Sequence, residues 1–133
     1  MSEVAPVSLR FRDVDSFGHV YHAEYLTLLD ELRTRWFRAE VGLTDPTQYV
    51  VARVELDYVS SLVLDDVVVA ADIVLERVGN TSVTLRETMR AGDGREVARC
   101  RTVVVLRDAS TGASRRLTDA ERTTAEGLLA AEH

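Results

Sequence analysis

"RDVDSFGHVYHAEYL", residues 12–26, decides how this 133-residue chain is read. Three carboxylates, a Gly, two His and three aromatics fall within fifteen residues, where alternating spacing gives way to helical spacing. From 23 to 40, Tyr25, Leu28, Leu29, Leu32 and Trp36 recur at i, i+3 and i+4 intervals. Leu26 and Phe37 widen that stripe into a broad apolar face. At 1.5 Å per residue the segment predicts a helix of roughly 27 Å, the longest in the chain. Gly42 supplies its C-cap and Pro46 a break beyond it.

The flanks have the period of strands. Residues 4–11 alternate Val7, Leu9 and Phe11 against Ser8 and Arg10, a short first strand. Residues 50–59 set Val54, Leu56 and Tyr58 against Arg53, Glu55 and Asp57. The Val- and Ile-rich run 66–77 predicts a central strand covered on both faces. Residues 82–90 set Val83, Leu85 and Met89 against Thr84, Arg86, Thr88 and Arg90. "AGDGR" (91–95) is a hairpin signal, and 96–107 is the last strand. Residues 118–131 form a second helix, with Thr118 as N-cap and Glu121 three residues on. One strand, one long helix, four strands and a terminal helix make a largely antiparallel sheet with the helix across one face, which is α+β. One short sheet under one helix leaves a face and edges exposed, so a homodimer or homotetramer is expected.

Composition narrows the function. The chain is 46% apolar and 29% charged, with net charge −6, and all its cations are Arg. An acidic balance argues against general nucleic-acid binding, which needs basic surface to neutralise phosphates. The single Cys100 excludes an internal disulfide framework. The first residues carry no basic, then apolar, secretory pattern, and runs such as "VVVAA" (67–71) are too short to span a bilayer. A cytoplasmic protein without membrane partner is the expectation.

The residue cluster admits several chemistries. It could be a helix start, with Tyr21 or His22 near the N-cap, Asp13 and Asp15 in Asx-turns and Gly18 at a bend. Asp15, His19 and His22 offer one carboxylate and two imidazoles to a metal, but the only other His is His133, the last residue, and a metal site is not expected. Cys100 sits among alternating core positions, Ser60 and Ser61 lack a nucleophile-elbow motif, and no phosphate-binding Gly-rich loop occurs. A carboxylate facing the N-terminus of a buried helix fits best. Backbone N–H groups there can hold a developing oxyanion while the carboxylate attacks a carbonyl or activates water. Such a pair suits an activated acyl group such as a thioester.

"RFRDVDSFGHVYHAEYLTLLDELR" resembles the opening motif of the 4-hydroxybenzoyl-CoA thioesterase-like branch of the hotdog superfamily. Asp13, Asp15, Gly18, His19, Val20, Tyr21, His22 and Tyr25 fall in register with it; "VELDYVSSLVLDD" and "ERVGNTSVTL" are similar more loosely. The resemblance implies a single hotdog domain over 1–133, an antiparallel five-stranded sheet wrapped around one long helix, with a short C-terminal helix. It implies a cofactor-free acyl-CoA thioesterase, with another hotdog hydratase or dehydratase, or a non-catalytic acyl-thioester binder, as alternatives. On this likeness Asp15 is the catalytic carboxylate and the amide around His22 and Ala23 the oxyanion donor. Asp13 is structural, and the His22 side chain orients Asp15 or water. Gly18, Tyr21, Tyr25, Ser82 and Arg86 are the substrate-binding candidates, Tyr21 and Tyr25 serving packing more than chemistry. Members acting on aryl-CoA carry basic residues in the turn matching Gly79 to Thr81. Here the turn reads "VGNTS", which leaves phosphate binding to Ser82, backbone amides, Arg77, Arg86 or Arg90.

Overall fold

A β-sheet whose inner face packs on one long helix organises the computed structural model, which describes residues 2–3 and 5–132. The elements are β1 (Ser2–Glu3), β2 (Val7–Ser8), α1 (Glu24–Trp36), β3 (Tyr49–Tyr58), β4 (Val68–Val78), β5 (Ser82–Ala91), β6 (Glu96–Leu106) and α2 (Asp119–Glu132). All pairings are antiparallel, in the order β1-β4-β5-β6-β3, with β2 beside β1 on the same edge of β4. The sheet is thus five positions wide, as the sequence predicts.

The first edge is broken where one strand over 4–11 was expected; Val4, its first residue, and His133 lie outside the described residues. Pro6 has no N–H to give to β4, and pairing resumes only at Val7. Leu9 still donates to the Val67 carbonyl (2.8 Å), but Phe11–Asp13 closes into a 3₁₀ turn that turns Phe11 out to solvent.

Helix α1 buries Tyr25, Leu28, Leu29, Leu32 and Trp36, the stripe read from the sequence. Leu26 does not join it, being 38% exposed. Past Trp36 the helix widens into a π turn, Phe37–Val41, which keeps Phe37 inside. Gly42 then ends it at φ 77°, a left-handed conformation glycine adopts without Cβ strain. Thr118 and Glu121 cap α2 reciprocally: the Glu121 N–H donates to Thr118 Oγ1 (3.1 Å) and the Thr118 N–H to Glu121 Oε1 (2.8 Å).

Two strand expectations need correction. β4 is interior, but only one of its faces is fully covered. Val69, Ala71, Ile73 and Leu75 are buried while Val68, Ala70, Asp72 and Val74 are half-buried. Among the described residues no layer lies over that outer face. In β5 the inward register includes Glu87, between Leu85 and Met89, and it is 1% exposed. β3 is the long open edge, with Val50, Val51 and Tyr58 exposed. Among the described residues no helix is long and apolar enough to cross a membrane.

Candidate active site

The residues of the opening motif fold into a tight loop ahead of α1. Asp13 is fully buried, and its carboxylate accepts the Arg10 backbone N–H (2.8 Å) and the Arg10 side chain (Nε 3.3 Å to Oδ2, Nη2 2.9 Å to Oδ1). Burial pushes that carboxyl up, but the Arg10 hydrogen bonds and charge outweigh it and hold Asp13 below the usual carboxylate range. Its carbonyl accepts the Tyr21 N–H at 2.8 Å, which closes the loop. Asp13 is a brace.

Asp15 is placed differently. Its Oδ1 accepts the backbone N–H groups of Phe17 (2.9 Å) and His19 (3.3 Å), an Asx-turn that points the side chain without consuming both oxygens. Among the described residues Oδ2 accepts no hydrogen bond. Gly18, at φ 81°, makes the bend that returns the chain, so that His19 bridges Val63 and the Val20 N–H reaches the Leu62 carbonyl (2.7 Å).

An open cleft of about 370 Å³ follows, lined by Asp15, His19, Val20, His22, Tyr25, Tyr58, Val59, Ser60 and Ser61. Helix α1 starts at its rim. The N-cap is Ala23, not Tyr21 or His22, and no side chain caps it. Among the described residues neither the His22 nor the Ala23 N–H finds an acceptor, so the positive end of the helix carries free donors. The Tyr58 hydroxyl donates to the His22 carbonyl (2.8 Å) and fixes that peptide. Tyr25, buried, donates to the Ser60 carbonyl (3.4 Å) and accepts the Leu62 N–H (3.0 Å), so its hydroxyl is committed to holding the opposite wall. Tyr21 is 47% exposed and packs against the His22 ring at a tilt of 41°, with centroids 4.3 Å apart.

The fold therefore gathers Asp15, His22 and Tyr25 in one cleft, with Gly18 shaping it and Ala23 and Tyr21 at its edge. Asp15, His19 and His22 share the cleft, yet among the described residues no three His, Cys, Asp or Glu side chains converge as metal ligands. Cys100 is buried in the sheet, and burial pushes its thiol up to about 11.

Ser82 and Arg86 do not reach the cleft of the same chain. Tyr58 pairs with Ala98 and Ala98 with Met89, whereas Ser82 pairs with Val105 and Val105 with Val50. Seven residues of strand separate Ser82 from Met89, about 23 Å. Arg86 is on the outer face and Arg90 is tied to Asp72 (2.8 Å). Arg77 lines an outer groove with Arg53, Glu76 and Arg101.

Sequence reasoning missed two groups. At the far end, the lead-in to α2 lies on the turn between β4 and β5: the Leu117 N–H donates to the Asn80 carbonyl (3.1 Å) and Arg122 to the Gly79 carbonyl (3.0 Å). That brings Arg116 and Arg122 to a turn that has no cation of its own. The run "ASRRLTDAER" (113–122) carried the charge, but nothing in its spacing gave its address. The other group is the 58–61 wall, which lies within the loosely similar stretch "VELDYVSSLVLDD" but to which the sequence assigned no role at the site.

Known proteins share this fold. The family model of the thioesterase-like superfamily matches residues 9–128. The chain is 32% identical over 92 residues to the acyl-CoA thioesterase YbgC of Haemophilus influenzae, a match covering 64% of this chain and 67% of that protein. A Thermus thermophilus thioesterase, solved with coenzyme A and zinc, is 29% identical and superposes with a TM-score of 0.79 over 95% of this chain and 92% of its own. The Staphylococcus aureus protein SAV2348, solved with CoA, shares the fold at 13% identity, with a TM-score of 0.79 over 93% of this chain and 81% of its own.

Proposed function

The chain belongs to the thioesterase-like superfamily, and on that footing we propose that it is an acyl-CoA thioesterase whose reacting carboxylate is Asp15. The observation that carries the reading is the pairing, at one cleft, of a half-tethered carboxylate with uncapped helix amides. With Oδ1 held by two N–H groups, Oδ2 is free to attack the thioester carbonyl or to take a proton from a water that does so. The N–H groups of His22 and Ala23 then receive the oxyanion, and the His22 ring orients Asp15 or water. On the first route CoA leaves as the thiolate and water then cleaves the acyl–Asp15 anhydride; on either route CoA ends as the thiol, the acyl group as the free acid and Asp15 as the carboxylate. The likeness to YbgC and to the CoA-bound Thermus structure supports CoA as the carrier.

The site is completed by a second copy. β3 leaves a ten-residue edge unpaired, and the cleft opens beside its Tyr58 end. Antiparallel pairing of two such edges sets the Tyr49 end of one chain against the Tyr58 end of the other. The second copy's turn at residues 79–82, with its Arg116 and Arg122, would then lie at the level of the cleft. Ser82 and Arg86 act as substrate contacts only in that arrangement, where phosphate meets guanidinium.

The test is thioester hydrolysis on a panel of acyl- and aryl-CoA esters by the parent and Asp15→Asn. The amide keeps size and the two backbone hydrogen bonds but can neither attack nor accept the proton. Turnover should fall by roughly 100-fold or more. His22→Ala should fall less, because the donor is a backbone N–H. Equal rates for Asp15→Asn and the parent would overturn the assignment.

A further inference from the structure

Behind the Ser60–Ser61 wall stands a residue that does not itself line the cleft. Arg95, in the Asp-Gly hairpin between β5 and β6, reaches three segments at once. Its Nε donates to Ser60 Oγ (3.3 Å), Nη2 to the Ser61 carbonyl (3.0 Å) and Asp66 Oδ2 (3.1 Å), and Nη1 to Asp93 Oδ2 (3.0 Å). Ser60 and Ser61 touch the cleft on their other side. The Ser60 carbonyl takes the Tyr25 hydroxyl, and Leu62 and Val63 hold Val20 and His19 of the Asp15 loop. Whatever fixes residues 59–66 therefore fixes the distance across the cleft.

Two further observations show that this segment is held in place from outside. Val67, just past it, sits at φ 68° and ψ −50°, a strained γ-turn for a β-branched residue. Its side chain is 64% exposed, so packing does not offset the strain. The fixed points are hydrogen bonds: Leu9 N–H to the Val67 carbonyl (2.8 Å), Val67 N–H to the Leu64 carbonyl (2.9 Å), and Asp66 Oδ2, shared by Val63 N–H (2.9 Å) and Arg95. The hairpin also presses directly on the segment. A Cβ at Gly92 would come within 2.9 Å of the Asp66 carbonyl oxygen.

We propose that Arg95 is a positioning residue of the active site: its guanidinium holds the 59–66 wall at a fixed spacing from Asp15 and the helix amides. The planar fork is needed because its acceptors lie in three directions, which the single ammonium of a Lys does not serve together. This rests on the thioesterase reading of the cleft. Loosening the wall displaces the thioester from its attack geometry and slows the chemical step, while the binding energy of the carrier elsewhere is kept.

The experiment pairs amide hydrogen exchange with kinetics for the parent, Arg95→Ala and Arg95→Lys, using the best CoA ester of the panel. Expected is faster exchange confined to peptides covering 59–67, with α1 and β5 unchanged. In both variants kcat should fall by about 10- to 100-fold, the scale of an ångström of misplacement, with KM within about threefold of the parent, as expected when ground-state binding is untouched. Unchanged exchange in 59–67, or faster exchange with parental kcat, would overturn the proposal. So would Arg95→Lys at parental kcat, since charge alone would then suffice. Should Arg95→Ala unfold, Arg95→Lys, which keeps charge and most of the volume, decides alone. A parent that cleaves no ester in the panel refutes the reading of the reaction, and the positioning role with it; the exchange data then report Arg95 as a structural strut only.

Discussion

Glu87→Gln is a sharp test of how α1 is held. Arg33, 2% exposed on the inner face of the helix, donates Nε to Glu87 Oε2 (2.9 Å), Nη2 to Thr102 Oγ1 (3.1 Å) and Nη1 to Asp30 Oδ1 (2.6 Å). The Thr102 hydroxyl donates to Glu87 Oε1 (2.5 Å), so both carboxylate oxygens face donors. A Gln of the same shape can turn its oxygen to Arg33 and its amide nitrogen to the Thr102 hydroxyl, which then accepts, but it carries no charge, so the buried guanidinium loses its counter-ion. Removing one partner of a buried ion pair costs about 3–5 kcal/mol. Asp30 remains on the guanidinium, and although 65% exposed it keeps the loss near the lower end, about 3 kcal/mol. With an unfolding entropy of about 2.1 cal/mol/K per residue over 133 residues, that lowers Tm by about 11 °C. Arg33→Met with Glu87→Leu removes both charges and leaves apolar groups of similar length. It should recover most of the loss, because well-packed hydrophobes replace buried pairs at little cost. Thermal unfolding followed by circular dichroism, at one fixed chain concentration, reads all three. A Glu87→Gln midpoint within about 2 °C of the parent, which corresponds to about 0.5 kcal/mol, would refute the reasoning. A double variant less stable than the single would do so too.

Asp13→Asn should show its effect in pH dependence rather than rate. Asp13 is held below its ordinary range when folded, so its contribution is present above the unfolded carboxylate value, near 3.9, and is lost as pH falls through the folded one. Urea unfolding at descending pH should find the gap between parent and variant wide at pH 7 and closing below about pH 4; a gap that widens on acidification would contradict the Arg10 brace. Light scattering at micromolar concentration should give at least twice the 14.8 kDa chain mass; a monomer would leave β3 and the second-copy contacts without support.

The sequence made legible whatever is local. Half of the candidate site lies in residues 13–25, where the Asx-turn at Asp15, the Gly18 bend and a helix start are written in consecutive residues; there the reading and the geometry differ only in detail, the N-cap falling at Ala23 and Asp13 turning back to Arg10. The other half is built by pairing. Tyr58 through Ser61 arrive from 35 or more residues away through β3, and Arg95 through a hairpin further on. No spacing within either segment encodes the neighbour. Periodicity had the same limit. It found α1 and every long strand, because one buried face imposes a period, but it passed over Glu87 and Arg33. Each is a charge at an apolar position of an otherwise regular stripe, and only its partner across the core explains it there. Leu26 and Val51 show the converse, apolar side chains at the surface of a single chain. Both lie on elements that border the cleft, α1 and β3. The dimer proposed above would cover apolar surface on the same two elements from which it completes the cleft.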